Sequence, residues 1–446
     1  MAIHPIDYRY GTSEMRGIWD ENNRFASIVK AEIALARAEG DHGLIPKKAS
    51  SEIAEKGINA SKKRADEIEA EINHDMMAVV RAITEVTGES GRWIHYGATS
   101  NDILDTATGL QIKESLLLLE IKLKKLLELL LNRAEDTKKL VCAGRTHGQI
   151  GVPTTYGLRF GIWAAETARH IERLNELRPR VAVGQMTGAV GTQASLGLLG
   201  HDVMVSMMKY LNLSPVDVSN QLIQRDRYAE YFMFLANMAT TLDKIGVEIR
   251  MMQRSEIGEM EEAFGRNQVG SSTMPHKRNP IKSEQVCGLA RVVRSFVEPA
   301  LLNNTLWDER DLTNSSCERV IFPEASILAD HILNVMIKVI EGLRLNPENI
   351  RRNLEMLHGV NMAESVMIEL TKKGMDRQEA HEIVRVASME AFETKTPVLE
   401  IFSKNKDVSE YLTKEDIESL LLPDNYIGTA EWQIEKLIEK LRPLTV

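Results

Sequence analysis

Between Leu104 and Leu140, the side chains of Leu116, Leu119, Leu123, Leu126, Leu127 and Leu130 fall at helical spacing. Leu117, Leu118, Leu129 and Leu131 widen that stripe, so more than one side of the helix must be covered. Continuous, such a helix is roughly 55 Å long. A rod this apolar needs other rods, and the chain supplies them. Asp226 to Met260 carries Phe232, Leu235, Met238, Leu242, Ile245, Ile249 and Met252 on one side, and residues 154–178, 281–302 and 322–345 read the same way. Five long helices in one chain predict an extended bundle. Helices apolar on several sides bury surface against other subunits, so an oligomer is expected.

Composition supports this reading. Aromatics are 5% of 446 residues, with only 13 Pro and 28 Gly but 20 Met, a balance that favours helices over strands. Alternating apolar and polar residues are rare, so strands should be few and short. The fold class expected is all-α with three helical domains: an N-terminal one over 1–104, a central long-helix bundle over 105–345, and a C-terminal one over 346–446. Asn346-Pro347-Glu348 reads as an N-cap, a first-turn proline and an early carboxylate. It opens a helix that should close near Gly359.

Lys and Arg number 55 against 64 Asp and Glu, a net charge of −9. A nucleic-acid partner calls for a basic surplus, so none is expected, and any anion must be held by a local pocket. Cys142, Cys287 and Cys317 are odd in number, far apart and outside any CxxC spacing, which excludes a disulfide framework and a zinc site. His381-Glu382 starts like HExxH, but Arg385 stands where the second histidine belongs. The glycines from Gly184 to Gly191 form neither GxGxxG nor a P-loop, and a close backbone approach to substrate or another helix explains them better. No metal or cofactor is expected. The N-terminus lacks a basic-then-apolar leader. The run Leu116–Leu131 is broken by Glu120, Lys122, Lys124, Lys125 and Glu128, too many charges for a membrane span. A soluble cytoplasmic protein with no membrane partner follows.

The segment richest in chemistry is GSSTMPHKRNP, Gly270 to Pro280. Gly270 and two prolines oppose helix, so it is a loop, and it gathers two hydroxyls, His276, Lys277, Arg278 and the Asn279 amide. The string resembles the signature loop of the fumarase/aspartase superfamily, GSSxMPxKxNP. Its His-Lys-Arg version is similar to two branches, the adenylosuccinate lyases and the 3-carboxymuconate cycloisomerases. RTHGQ at 145–149 followed by PTTYG at 153–157, WIHYGATSNDILD at 93–105, Asn73-His74-Asp75, GQMTGAVGTQAS at 184–195 and WDERDLTNSSCER at 307–319 are similar to the first branch. So are Arg9-Tyr10 and Glu14-Met15. The resemblance runs from residue 9 to about 330; the C-terminal hundred residues add little.

The resemblance implies a central bundle of the fumarase/aspartase type and elimination of fumarate from succinyl-amino purine nucleotides or their imidazole precursor. It makes Ser271 the general base and His147 the general acid. Lys277, Glu284, His74 and His95 support them, with Glu284 as the partner of His147. The positions it implies for substrate binding are Arg9, Tyr10, Asn73, His74, Asp75, Thr99, Ser100, Thr146, Gln221, Met274, Lys277, Asn279, Arg310, Ser315 and Arg319. His276 either shapes the loop or touches substrate. The assembly implied is a homotetramer with active sites shared among three subunits. Two alternatives stay open: a muconate-type cycloisomerase, and a structural relative without catalysis. Retention of Ser271, His147, Lys277 and Glu284 together argues against the second. His4, His42, His170, His201, His331, His358 and His381 read as surface or structural.

Overall fold

The computed structural model describes residues 4–265, 270, 273–274 and 276–445. The helices that matter for function are α1 (Glu21–Asp41), α2 (Lys62–Ile72), α3 (Asp75–Thr87), α4 (Ser100–Asp136), α5 (Tyr156–Val181), α6 (Asp226–Met252), α7 (Ile281–Ser295), α8 (Thr313–Gly342) and α9 (Pro347–Glu355). The strands are short. β1 (Val141–Thr146) and β2 (Gln149–Thr155) form an antiparallel hairpin whose register shifts between Ala143 and Arg145. Two further pairs are two residues long. The expected all-α architecture with long helices is the one observed.

Boundaries moved where backbone hydrogen bonds had better options. The helix expected to reach Met260 stops at Met252, because Gly258 turns the chain at φ 59 and the Glu259 amide bonds back to the Met252 carbonyl. Residues 260–261 then pair with 344–345. The helix expected over 281–302 breaks after Ser295 and restarts at Val297. Pro299 has no amide to donate and would clash with the carbonyl four residues before it; the break places it in a first turn. In contrast, α8 starts at Thr313, well before Phe322, and runs through Pro323. Asn346 caps α9 as expected, its side chain accepting from the Asn349 amide.

The chain forms two compact units, each built from three stretches: Met1–Leu123, His170–Asp243 and Val286–Val335 in the first, Lys124–Arg169, Lys244–Gln285 and Met336–Val446 in the second. In the first, α1 packs on the helix Gly200–Leu211, and α2 packs on α3. Trp19, Tyr228, Tyr231 and Phe232 gather around Phe322 at ring separations of 4.9–6.1 Å. Gly184 and Gly191 sit where a Cβ would strike Met208 and the Ser219 carbonyl, respectively, which is the close approach the glycine-rich segment predicted. The second unit buries Tyr156, Phe160 and Trp163, and has a further core formed by Val366, Leu370, Ala380, Val384, Val398 and Phe402. Among the described residues, one helix, α8, is long and apolar enough to cross a membrane, and 67% of its most apolar stretch is buried inside the protein.

Candidate active site

In the first unit, α3 begins where two expected site residues do structural work. Asn73 ends α2 in the left-handed region at φ 54, and His74 caps α3 by accepting the Met77 amide on Nδ1 at 3.3 Å. Asp75, in the first turn, takes the Arg319 guanidinium from α8 at 2.7 Å. Arg319 joins Arg310 and Ser315 in lining a small cavity of about 80 Å³ together with Arg24. Arg24 and Arg319 also border a second cavity of about 170 Å³ beside Asp75 and Lys62. Burial lowers the pKa of Arg24, with the Arg319 charge adding to it against the pull of Glu21. Guanidinium groups in this geometry suit a phosphate or a carboxylate. The Arg310 side chain donates to Gln221 Oε1 at 2.8 Å, and Gln221 donates to the Ala189 carbonyl at 2.7 Å. Arg9 is exposed at the end of a short N-terminal helix, and the Tyr10 ring lies 5.3 Å from that of His331.

The segment WIHYGATSND folds into a cage around its histidine. His95 sits at φ 63, and its Nδ1 lies 2.6 Å from Glu32 Oε1 on α1. Glu32 is fully buried, and the His95 side chain is 14% exposed. Burial disfavours the charged ring, but the Glu32 charge, its hydrogen bond and the nearby Asp102 outweigh burial and raise the pKa. Asp102 accepts from the Thr99 amide at 2.9 Å, capping α4 beside Ser100. It also accepts from the amides of Thr187 and Gly188 at 2.7 and 3.0 Å, tying the glycine-rich segment to the helix start. Below this cage Arg225, 3% exposed, forks onto Asp105 at 2.6 and 2.9 Å and reaches Glu318 at 2.9 Å.

In the second unit, Thr146 and His147 stand exposed at the tip of the β1–β2 hairpin, with His147 at φ 53. That hairpin is anchored on Glu259, which is fully buried and accepts from Arg145 at 2.5 Å, Tyr156 Oη at 2.7 Å and Asn353 at 2.8 Å. Ser271 lies outside the described residues. Around it, Asn279 Nδ2 donates to the Gly270 carbonyl at 2.8 Å, and a Cβ on Gly270 would collide with the Lys277 carbonyl. Glu262 caps α7 through the Ser283 amide at 2.6 Å. Met274, His276, Lys277, Asn279 and Glu284 border an open groove of about 820 Å³. No hydrogen bond or ion pair joins His147 to Glu284 within this chain. Among the described residues no cluster of three or more metal-type side chains occurs.

The structure thus gathers Asp75, Arg310, Ser315 and Arg319 in one region, His95, Thr99 and Ser100 in another, and Met274, Lys277, Asn279 and Glu284 along one groove. The sequence reading missed Glu32, Asp102 and Arg24. Glu32 had a signal: Ile28, Glu32, Leu35 and Glu39 share one helical face, and a carboxylate on an apolar stripe is out of place. Asp102 had one too, three residues after Thr99 in a capping-box spacing.

Residues 7–295 match the lyase family, and residues 359–437 match the adenylosuccinate lyase C-terminus. The chain is 53% identical over 438 residues to an adenylosuccinate lyase of Archaeoglobus fulgidus, spanning 98% of both. It is 54% identical over 441 residues to one of Pyrococcus horikoshii, again spanning 98% of both. Among solved structures, 3-carboxy-cis,cis-muconate lactonizing enzyme from Pseudomonas putida superposes with a TM-score of 0.90 at 29% identity, covering 99% of each chain. This chain shares the fold of the lactonizing enzyme, but its much higher identity is to the adenylosuccinate lyases, over nearly the full length. The chain belongs to the adenylosuccinate lyase family.

Proposed function

We propose that this chain eliminates fumarate from adenylosuccinate to give AMP, and from succinyl-aminoimidazole carboxamide ribotide to give aminoimidazole carboxamide ribotide, in purine nucleotide biosynthesis. The observation that carries this is identity of 53–54% over nearly the whole chain to lyases of that name. The enzyme is a carbon–nitrogen lyase. Both substrates present a succinyl-amine and a ribose 5-phosphate, so one site serves both.

The residue roles follow from what the step demands. A proton leaves the succinyl carbon beside a carboxylate, the electron pair expels the C–N bond, and the departing nitrogen takes a proton. Ser271 is the base, and His147 the acid, since imidazole titrates near neutrality. A serine hydroxyl is too weak a base unaided; Lys277 and loop amides lower the cost of its alkoxide. Lys277 and Asn279 also hold the carboxylate on which charge accumulates. Arg9, Tyr10, Arg310, Ser315 and Arg319 take the nucleotide's anionic end. The exposure of His147 and Lys277, and of large apolar side chains such as Ile121, Ile162 and Val218, supports a homotetramer whose subunits complete one another's sites. Glu284 then reaches His147 from a neighbouring subunit. We place the protein in the cytoplasm and divide it into parts 1–104, 105–345 and 346–446.

Purified protein given adenylosuccinate should release fumarate with no added metal or nucleotide. Turnover of carboxymuconate without fumarate release would reverse the assignment. Ser271→Ala should abolish turnover while substrate still binds, and sedimentation should show a tetramer.

A further inference from the structure

The carboxylate of Glu32 lies in the interior of the first unit with none of its side chain exposed. One oxygen takes His95 Nδ1 at 2.6 Å, and the other has no hydrogen-bond partner among the described residues. Burying a carboxylate so incompletely satisfied is costly, and such a group persists only where something compensates. The compensation visible is His95. Its backbone is held at φ 63, a region a histidine enters only against strain, and the turn around it is closed by the Ala98 amide on the His95 carbonyl. With Nδ1 occupied by Glu32, Nε2 is the ring nitrogen left without a partner among the described residues. The charged groups facing the ring are both acids: Glu32 from α1 and Asp102 from the first turn of α4.

We propose that Glu32 is a positioning residue for the elimination, accepting Nδ1–H of the His95 imidazolium so that Nε2–H is presented as a charged donor to an anionic oxygen of the substrate. This rests on the reading of His95 as an active-site residue. The oxygen belongs either to the succinyl carboxylates or to the phosphate; the chemistry recognised is the same. Glu32 touches no substrate and acts through the ring alone. A neutral imidazole with Nδ1–H on Glu32 would turn a lone pair, not a proton, towards that oxygen.

The test uses the full-length enzyme with Glu32→Gln, His95→Gln and the double variant. In Glu32→Gln the new amide oxygen can still accept from Nδ1–H, so the ring keeps its place but loses the charge that favours protonation. With burial then dominant, His95 should titrate at lower pH. The ratio of variant to wild-type KM should rise with pH, because the variant ring loses its proton before the wild-type ring does. kcat should change less, and the double variant should be no worse than His95→Gln. Inhibition by fumarate and by AMP, measured across the same pH range, identifies the anion: the one recognised by Nε2–H loses affinity in Glu32→Gln as pH rises, and the other does not. A KM ratio independent of pH, additive effects in the double variant, or unchanged inhibition by both products overturns the proposal. Wild-type kinetics in His95→Gln would overturn the active-site reading itself, and the proposal with it.

Discussion

His95 and His147 both occupy the left-handed backbone region, at φ 63 and φ 53, yet their surroundings are opposite. His95 is sunk against a buried carboxylate of its own unit and shielded from solvent. His147 stands exposed on a hairpin tip, and the strands beneath it are held by Glu259, through Arg145 and Tyr156, and by Arg159 on the Ala143 carbonyl. In the first case the fold fixes the direction of the ring and favours its charged form. In the second it sets position and leaves the electrostatics to what docks there. A group that binds an anion benefits from a charge settled in advance. A general acid must give its proton away and recover it each cycle, which a tight buried ion pair would hinder.

The largest effect tests the exposed side. His147→Gln should lower kcat by about 10²–10⁴, and thermal unfolding should barely move, because the side chain stands exposed at the tip. A variant that unfolds would show that the tip carries structure and would erase the contrast. On the buried side the weighting should invert. Arg225→Met strands Asp105 and Glu318 in the interior, and breaking a buried pair of this kind costs about 3–5 kcal/mol. Denaturant unfolding should record that loss; wild-type stability would show that the acids protonate at little cost.

A smaller effect, of opposite sign, should come from Glu39, further along α1 from Glu32. Both of its carboxylate oxygens lack partners and its pKa is pushed up to about 9, by burial first and the Glu32 charge second. The folded state therefore holds a proton that the unfolded chain releases near its ordinary carboxylate value. Stability falls as pH climbs from about 4.5 to about 9. Glu39→Gln removes the penalty and should stabilise the protein by on the order of 2 kcal/mol at pH 7.5, about half of what three pKa units represent because the buried amide also lacks partners, with the gain fading towards pH 5. A gain constant with pH would show that shape, not charge, governs the position.

Much of the fold was legible because helical periodicity and capping are local. The Leu stripe of α4, the Asn346 cap and the helix partners all follow from neighbours within a few residues. Misplaced ends came from equally local causes weighed wrongly: Gly258 stopped α6, Pro299 split the helix expected over 281–302, and α8 runs through Pro323 from Thr313. Motifs such as Arg145–Gln149 and Gly270–Pro280 were legible as candidate site segments because their residues are adjacent in the chain. Glu32 was legible only as a carboxylate on an apolar helical face; its partner His95 was not. Only the folded 93–105 segment brings the imidazole to it.

The amino-acid order alone determined that this chain forms long apolar rods and carries a loop of serine, lysine and asparagine suited to carboxylate chemistry. Those properties depend on spacing along the chain. Tertiary structure decided which charges count. Glu32 meets His95 across 63 residues of sequence, and Arg225 meets Asp105 across 120. An acid on a helix is a solvated surface group or a determinant of imidazole charge according to the dielectric around it and the partner it meets, and both are properties of the packed interior.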